Sequence, residues 1–450
     1  MSNAAEKLKT LFADNPPRAF VGTYGCQQNE ADSEKLRGML YACGCVRSDD
    51  PDECDVAVIN TCAVRAHAET KVYGVIGAFV PRKKRNPNLI VAVCGCMVQR
   101  PEEAEKLRES HKHVDLVFGT HVLHELPELL LRVVETRARV FETPQSDGVI
   151  VEDLPHARDG KYKAWLSVMY GCDNFCSYCI VPYVRGRERS REPERVLAEA
   201  RELIASGVRD ITLLGQNVNS YGRKSGSGYD FPRLLTELSQ IPGDYLLRFM
   251  TSHPKDAGDA LFRAMAESGR VARHLHLPFQ SGSTRVLGKM NRGYSREQYL
   301  SLITKVRGYM PDIALTSDVI VGFPGEELSD FNDTMSLIEE VRFDALFTFI
   351  YSPRPGAPSA LTVNNTPKDE IQRRFDLLAE TQNRISGERH GGYAEKTVRV
   401  LVDGDGGPAE YPYTARTSGN RLVKLKHGTV GEFLDVTITG ANRWSLTSDG

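Results

Sequence analysis

The 450-residue sequence predicts a multidomain α/β protein, with a parallel α/β domain first, an incomplete (β/α)6 barrel second and a small antiparallel β barrel last. Three observations lead there. The chain is longer than a single hydrophobic core usually organises. Apolar strand-like runs alternate with helical stretches over most of its length. After Gly391 and Gly392 the texture changes to short alternating strands separated by Gly, Pro, Asp and Asn.

The first domain is placed at residues 18–137. From Arg18, AFVGTY is followed by a helix from Glu30, VAVIN by a helix near His67, and LIVAV by PEEAEKLRES, with VDLVFG ending a flavodoxin-like parallel series. The stretch from Val140 to Lys161 has scattered acids, Pro144, Pro155 and no period, and reads as a linker.

The second domain, residues 158–390, runs through AWLSVMYG, PERVLAEARELIASG, DITLLG, YLLRFMTS, HLHLPF, IALTSDVIVG and ALFTFIYS. About six strand-helix units predict a partial barrel with its ligands at the carboxyl ends of the strands. A helix from about Lys368 to Glu388 closes it. In residues 391–450, TVRVLV, RLVKLK and FLDVTIT predict the third domain, a small antiparallel barrel.

Composition narrows the class. Hydrophobic content of 41% and charged content of 26% are those of an ordinary globular chain. The opening MSNAAEKLKTLFADNPPRAF lacks the apolar core of a signal peptide and no later run could cross a bilayer, so a cytoplasmic protein without a membrane partner is expected. Ten cysteines are too dilute for a disulfide scaffold and serve better as thiols for metal or redox chemistry. A net charge of -2 leaves any nucleic-acid binding to local patches.

The strongest local signal is GCDNFCSYC, with Cys172, Cys176 and Cys179 in a loop after the first barrel strand. A structural zinc site wants four ligands, and no fourth Cys or His lies nearby. Three thiolates on a four-iron cluster leave one iron open to an outside ligand. In the first domain, Cys26, Cys62 and Cys96 each follow the carboxyl end of a predicted parallel strand, the edge where open α/β sheets build sites. Cys94 still belongs to its apolar strand, so Cys96 is preferred. Cys43, Cys45 and Cys54 read as buried or indifferent. The alternatives are clustered buried or zinc-binding thiols in the barrel, and a redox-inert first domain with stray cysteines.

Several stretches carry a family resemblance: GCDNFCSYCIVPYVRGRERSR, LLGQNVNSYG, LPFQSGSTRVLGKMNRGY, SDVIVGFPGE and YSPRPG in the barrel, with TYGCQQNEADSEKL, INTCAVRAHAE and VCGCMVQR before it. Together they resemble the radical S-adenosylmethionine (SAM) methylthiotransferases, and ARTSGNRLVKLKHGTVGEFLDVTIT resembles a TRAM domain. The resemblance implies two 4Fe-4S clusters and SAM. One cluster would sit on Cys172, Cys176 and Cys179, covered by Tyr178, and an auxiliary one on Cys26, Cys62 and Cys96. Gly215 and Gln216 would line the methionine end of SAM, with Ser252, Gln280 and Asp318 near its ribose or the reacting face, and the backbone of Gly322 and Phe323 would meet the adenine. Each of these polar residues could instead cap a strand or helix.

For RNA, the candidates are Arg185, Arg187, Arg189 and Arg191 beside the cysteine loop, with Arg416, Thr417, Asn420, Lys424 and Lys426 in the last domain. PRKKR, from Pro81 to Arg85, fits solvated surface or phosphate binding equally. From Tyr393 onward seven basic residues balance seven acidic ones, so bulk charge cannot bind RNA there.

The implied reaction is methylthiolation of prenylated adenosine beside the anticodon of tRNA, using two SAM molecules and sulfur from the auxiliary cluster. Rivals are threonylcarbamoyladenosine, a ribosomal-protein aspartate, or a non-enzymatic RNA-binding iron-sulfur protein. The implied partners are a tRNA anticodon stem-loop, an electron donor such as flavodoxin or ferredoxin, and cluster-assembly or sulfur-carrier proteins, with the enzyme a monomer. Three residues depart from the family pattern: Gln28 where Met is usual, Ala357 where Thr is usual, and Phe279 where a smaller residue is usual and which is expected to reshape the pocket.

Overall fold

In a computed structural model, which describes residues 2–63, 66–158, 160–224, 226 and 228–449 (66–70 by backbone only), the first domain is an all-parallel six-stranded sheet. Its strands are β1 (Arg18–Tyr24), β2 (Val46–Arg47), β3 (Val56–Thr61), β4 (Ile90–Gly95), β5 (Leu116–Phe118) and β6 (Val140–Glu142), in the order β2-β1-β3-β4-β5-β6. The central β3 and β4 are buried throughout, as expected of parallel strands covered on both faces. One face packs Leu36, Val58, Ala92 and Leu130, the other Ile59, Val72, Val91 and Val117. Two residues of the INTCAVRAHAE stretch, Val64 and Arg65, lie outside the described residues.

The domain exceeds its expected limits at both ends. The helix Asn3–Leu11, capped by Ser2, buries Ala4, Ala5 and Leu8 in the first of those layers. Beyond residue 137, β6 adds a sixth strand through the pairing Val140↔Leu116, a three-residue element too short to show a period. The following segment is packed rather than loose. The Ala157 N–H donates to the Glu34 carbonyl, and the chain crosses the helix Gln27–Ala42 so closely at Gly38 that a Cβ there would sit 2.2 Å from the Pro155 carbonyl oxygen.

The barrel has two parallel three-stranded halves. The first holds β7 (Lys163–Ser167), β10 (Asp210–Leu214) and β11 (Leu246–Phe249); the second holds β12 (His274–His276), β13 (Ala314–Val321) and β14 (Ala345–Ile350). A bridge between Leu247 and Val271 joins them, leaving β7 and β14 as the edges of an incomplete barrel. Between β7 and β10, β8 (Met169–Tyr170) and β9 (Arg189–Ser190) form a small antiparallel ladder at the ends of the cysteine loop. Leu166, Ile211, Leu213, Leu247, Leu275 and Leu315 face the helices and form the core. Strand alternation turns Thr212, Arg248, His276, Thr316, Asp318 and Phe347 to the other, inner side. The barrel interior is therefore polar, a place for a ligand rather than a packed core.

The last domain contains β15 (Thr397–Gly404), β16 (Tyr413–Thr417), β17 (Leu422–Leu425), β18 (Phe433–Thr437), β19 (Gly440–Ala441) and β20 (Leu446–Ser448), in one sheet ordered β18-β15-β16-β17-β20-β19 around Val400, Val402, Ala415, Val423 and Val436. It is not wholly antiparallel. The β19-β20 hairpin brings β20 back alongside β17 in the same direction. This sheet docks at the amino ends of the barrel strands. Buried Arg248 donates to the Thr417 and Ser418 carbonyls, each at 3.1 Å, and holds the Asp210 carboxylate at 3.0 Å. Arg421 pairs with buried Asp344 just before β14. Among the described residues no helix is long and apolar enough to cross a membrane.

Candidate active site

The cysteine loop opens on Gly171, whose φ of 77° favours glycine and where a Cβ would sit 2.0 Å from the Arg187 carbonyl oxygen. The loop is pinned from several sides. The Cys172 N–H donates to the Gly186 carbonyl, Ser177 donates its N–H to the Met290 carbonyl and its hydroxyl to that of Lys289, and the Asn291 amide donates to the Phe175 carbonyl. From the strap after β14, the Ser359 N–H donates to the Ser177 carbonyl. Cys172 and Cys176 are buried, and burial pushes the Cys172 and Cys179 thiols up to about 12. Buried Arg292 donates to Cys176 Sγ at 3.4 Å and to the Pro278 carbonyl at 2.8 Å. Tyr178 packs with Val286, Met290 and Phe323, its hydroxyl 3.5 Å from Arg292.

The residues expected around SAM fall into two groups. Gln216 accepts from the Gly171 N–H at 2.5 Å, and a Cβ on Gly215 would strike Met169, so both lie against the cysteine loop. Ser252 Oγ is buried without a hydrogen-bond partner among the described residues. Gln280, at φ 65°, donates its N–H to the Asp318 carbonyl, and the Asp318 carboxylate stands 3.6 Å from His276 Nε2 on the inner face.

Gly322 and Phe323 depart from expectation. Both N–H groups donate to the Glu326 carboxylate, the Gly322 carbonyl accepts from Asn364 and the Phe323 carbonyl from the Glu326 N–H. Both N–H groups are thus taken within the turn, while each carbonyl keeps a second lone pair. Phe279 is likewise in the core, stacked on Phe343 at 5.3 Å, and forms no pocket wall.

In the first domain the three candidate cysteines end β1, β3 and β4. Cys26 caps the helix Gln27–Ala42, Cys62 follows β3, and Cys96 follows Gly95, whose φ is 96° and where a Cβ would lie 2.4 Å from the Thr61 carbonyl oxygen. A hydrogen bond from Cys62, with Arg185 adding to it, brings the thiol of surface-exposed Cys26 down to about 5. Burial raises Cys96, an effect that Arg185 opposes. Cys43, Cys45 and Cys94 lie in the sheet's apolar layer, and Cys54 in the opposite one. Among the described residues no three His, Cys, Asp or Glu side chains gather tightly enough to hold a single metal ion.

Several arginines read as RNA contacts do something else. Arg185 is 6% exposed and points into the first domain, and Arg191 is 8% exposed between Glu152 and Glu199. Neither can reach a phosphate. Thr417 is buried under Arg248. Arg187 is exposed, paired with Asp173 at 2.9 Å and set over the Phe175 ring, while Arg189 is half-buried with two guanidinium nitrogens unpartnered among the described residues. Arg416 pairs with Asp403 and donates to the Asn420 carbonyl, Lys424 is half-buried on β17, and Lys426 meets Asp449 at 2.9 Å. Of the PRKKR run, Arg82 is buried against Cys54 and Lys83 is half-buried against Asp115, whereas Lys84 and Arg85 are exposed.

Three family models match the chain in succession: Uncharacterized protein family UPF0004 at residues 18–119, Radical SAM superfamily at 166–338 and TRAM domain at 393–449. A tRNA-2-methylthio-N(6)-dimethylallyladenosine synthase of Acetivibrio thermocellus is 48% identical over 428 residues, covering 95% of this chain and 89% of its own. The synthase of the same name from Alkaliphilus oremlandii is 45% identical over 450 residues, covering 100% and 96%.

The chain belongs to this synthase family.

Among solved structures, the radical S-adenosylmethionine methyltransferase TsrM from Kitasatospora setae superposes with a TM-score of 0.57 at 15% identity, over 76% of this chain and 75% of that one, a likeness of fold. Membership of the synthase family implies 4Fe-4S clusters and SAM, and the residues present fit them. All six candidate cysteines are free thiols. Cys26, brought down to about 5, is already a thiolate at neutral pH, and Cys96, Cys172 and Cys179, raised by burial, would release their protons on binding iron. Ser252 Oγ, His253 Nε2 and Asn217 Oδ1, buried near the strand ends without partners among the described residues, are the kind of groups a polar ligand satisfies.

Sequence reasoning missed Arg292, His276 and Phe347. Arg292 lies in the LPFQSGSTRVLGKMNRGY stretch, but its contact with Cys176 forms only when the distant loop docks, and His276 and Phe347 reach the inner face only through strand pairing.

Proposed function

We propose that this protein methylthiolates N6-dimethylallyladenosine in tRNA. The observation that carries the reading is the approach of two cysteine sets: Ile180, next to Cys179, packs in one buried cluster with Ala63, Val184 and Cys96.

The bound cluster and SAM supply a radical able to remove a hydrogen that no acid-base group could take from an adenine ring at neutral pH. Cys172, Cys176 and Cys179 would hold that cluster, with Arg292 fixing Cys176. Cys26, Cys62 and Cys96 would hold the auxiliary cluster, which would supply the sulfur, with the methyl group coming from SAM. The polar inner face around His276, Thr316 and Asp318 orients the base, and the Arg248 bridge to Thr417 seals the far end of the barrel against water. The target base lies in a single-stranded loop, where splaying it into a pocket costs least. Arg187 and Arg189 at the loop, with Arg416, Asn420, Lys424 and Lys426 in the last domain, are the remaining RNA contacts.

The test is anaerobic reconstitution with iron and sulfide, reaction with dithionite, SAM and dimethylallyl-adenosine tRNA, and nucleoside mass spectrometry. The methylthio nucleoside is the expected product. 5′-Deoxyadenosine without it redirects the enzyme to threonylcarbamoyladenosine or a ribosomal-protein aspartate. Absence of both products overturns the catalytic reading.

A further inference from the structure

An arginine from the barrel domain reaches the cysteines of the first domain. Arg185 ends the short helix Val181–Arg185, six residues after Cys179, and this helix is tied to the first domain by the Thr120 hydroxyl, which donates to the Val184 carbonyl. The guanidinium reaches across the domain boundary. Its Nε donates to Cys96 Sγ at 3.2 Å and its Nη2 to Asp32 Oδ2 at 2.8 Å, with Arg185 and Asp32 only 6% and 3% exposed.

Asp32 in turn accepts from Gln28 Nε2 at 3.2 Å, and the Gln28 carbonyl oxygen accepts from Gln216 Nε2 at 3.5 Å. Gln216 also accepts from the Gly171 N–H, immediately before Cys172. A continuous line of polar contacts thus runs from the Cys172 loop to Cys96 through Gln216, Gln28, Asp32 and Arg185. Gln28 is one of the three departures from the family pattern, and its amide makes the middle link.

We infer that Arg185 is a positioning residue for the auxiliary cluster, holding the Cys96 thiolate and offsetting its negative charge from the neighbouring domain. The inference rests on Cys26, Cys62 and Cys96 being the ligands of that cluster. A guanidinium is suited to the role because it keeps its charge when buried and donates in a fixed plane to two acceptors at once. Hydrogen bonds to cluster sulfurs and nearby charge set reduction potential, and donation from a cation favours the reduced, more negative cluster.

The test uses the full chain with Cys172, Cys176 and Cys179 changed to Ala, so that any iron and any electron paramagnetic resonance signal report the auxiliary site alone. Iron content and midpoint potential are measured with Arg185 intact, in Arg185→Lys, and in the paired Asp32→Asn/Arg185→Gln, which avoids a stranded buried carboxylate. The expected result is iron retained at about four per chain, with a potential that becomes more negative from Arg to Lys, and in the pair, where loss of the Asp32 carboxylate offsets the lost guanidinium charge, more negative only by the hydrogen bond withdrawn from Cys96. If the pair fails to take up iron, the lysine variant decides alone. An unchanged potential in iron-loaded variants overturns the inference and leaves Arg185 a structural contact. No iron bound with Arg185 intact instead overturns the ligand assignment.

Discussion

Ile180, adjoining Cys179 of the barrel loop, is buried against Cys96 of the first domain, so the two cysteine sets share one apolar wall. Truncating that wall should loosen both. Ile180→Ala removes a side chain that is 3% exposed and leaves a cavity, with an expected cost of about 2–5 kcal/mol, against about 0.5–1.5 kcal/mol for Ile180→Val. Urea unfolding of the two variants checks the ratio. Equal effects would mean that the interface closes over the gap.

The two cysteine sets should separate functionally. Cys176→Ala removes a proposed ligand of the SAM-binding cluster and is expected to abolish both 5′-deoxyadenosine and the methylthio nucleoside. Cys62→Ala is expected to keep some SAM cleavage while losing the sulfur-containing product. Both products retained in both variants would sink the two-cluster model.

Gly95→Ala tests how Cys96 is presented. The residue combines a left-handed backbone with a close approach to the Thr61 carbonyl, so the methyl group meets both strain and a clash. The expected loss is at least about 1–3 kcal/mol, with iron content falling by the share of the auxiliary cluster while the Cys172 loop keeps its own. Iron analysis beside thermal unfolding distinguishes this from general collapse.

The Arg248 bridge should hold the last domain. Arg248→Ala strands the buried Asp210 carboxylate and frees two carbonyls, with an expected cost of about 3–5 kcal/mol. Limited proteolysis should then release a fragment beginning near residue 391. Arg248→Ala in an Asp210→Asn background should cost less, because no buried carboxylate is left without its partner.

Strand ends were the most legible feature of the sequence. The alternation of apolar runs with helical stretches placed Cys26, Cys62 and Cys96 just past parallel strands, and distinguished Cys96 from Cys94, because strand register is a local property. The arginines were not legible. A run such as RGRERSR looks the same whether its side chains face solvent or a carboxylate far along the chain: Arg185 finds Asp32, and Arg191 finds Glu152. Thr417 has a polar side chain on a surface domain and gives no sign that Arg248 will cover it. Gln28 meets Ser167 and Gln216 only after two domains have docked. The three-residue β6 and two-residue β19 are likewise set by pairing partners rather than by a period of their own.

Acid should destabilise the protein well before its carboxylates titrate. Burial brings His121 and His156 down to about 4 and His274 to about 3, so each stays neutral in the folded protein where an unfolded histidine, at about 6.5, would be protonated. Between those limits the unfolded chain binds more protons, and stability therefore falls as pH is lowered. The slope is about 1.4 kcal/mol per pH unit for each such histidine, starting near pH 6.5 and flattening for His121 and His156 near pH 4. Urea midpoints of the reconstituted protein from pH 7.5 to 4.5 measure it. His156→Gln should make the slope shallower by about one histidine's share, since a neutral amide has no proton to gain on unfolding. An unchanged slope in that variant would place the acid sensitivity elsewhere.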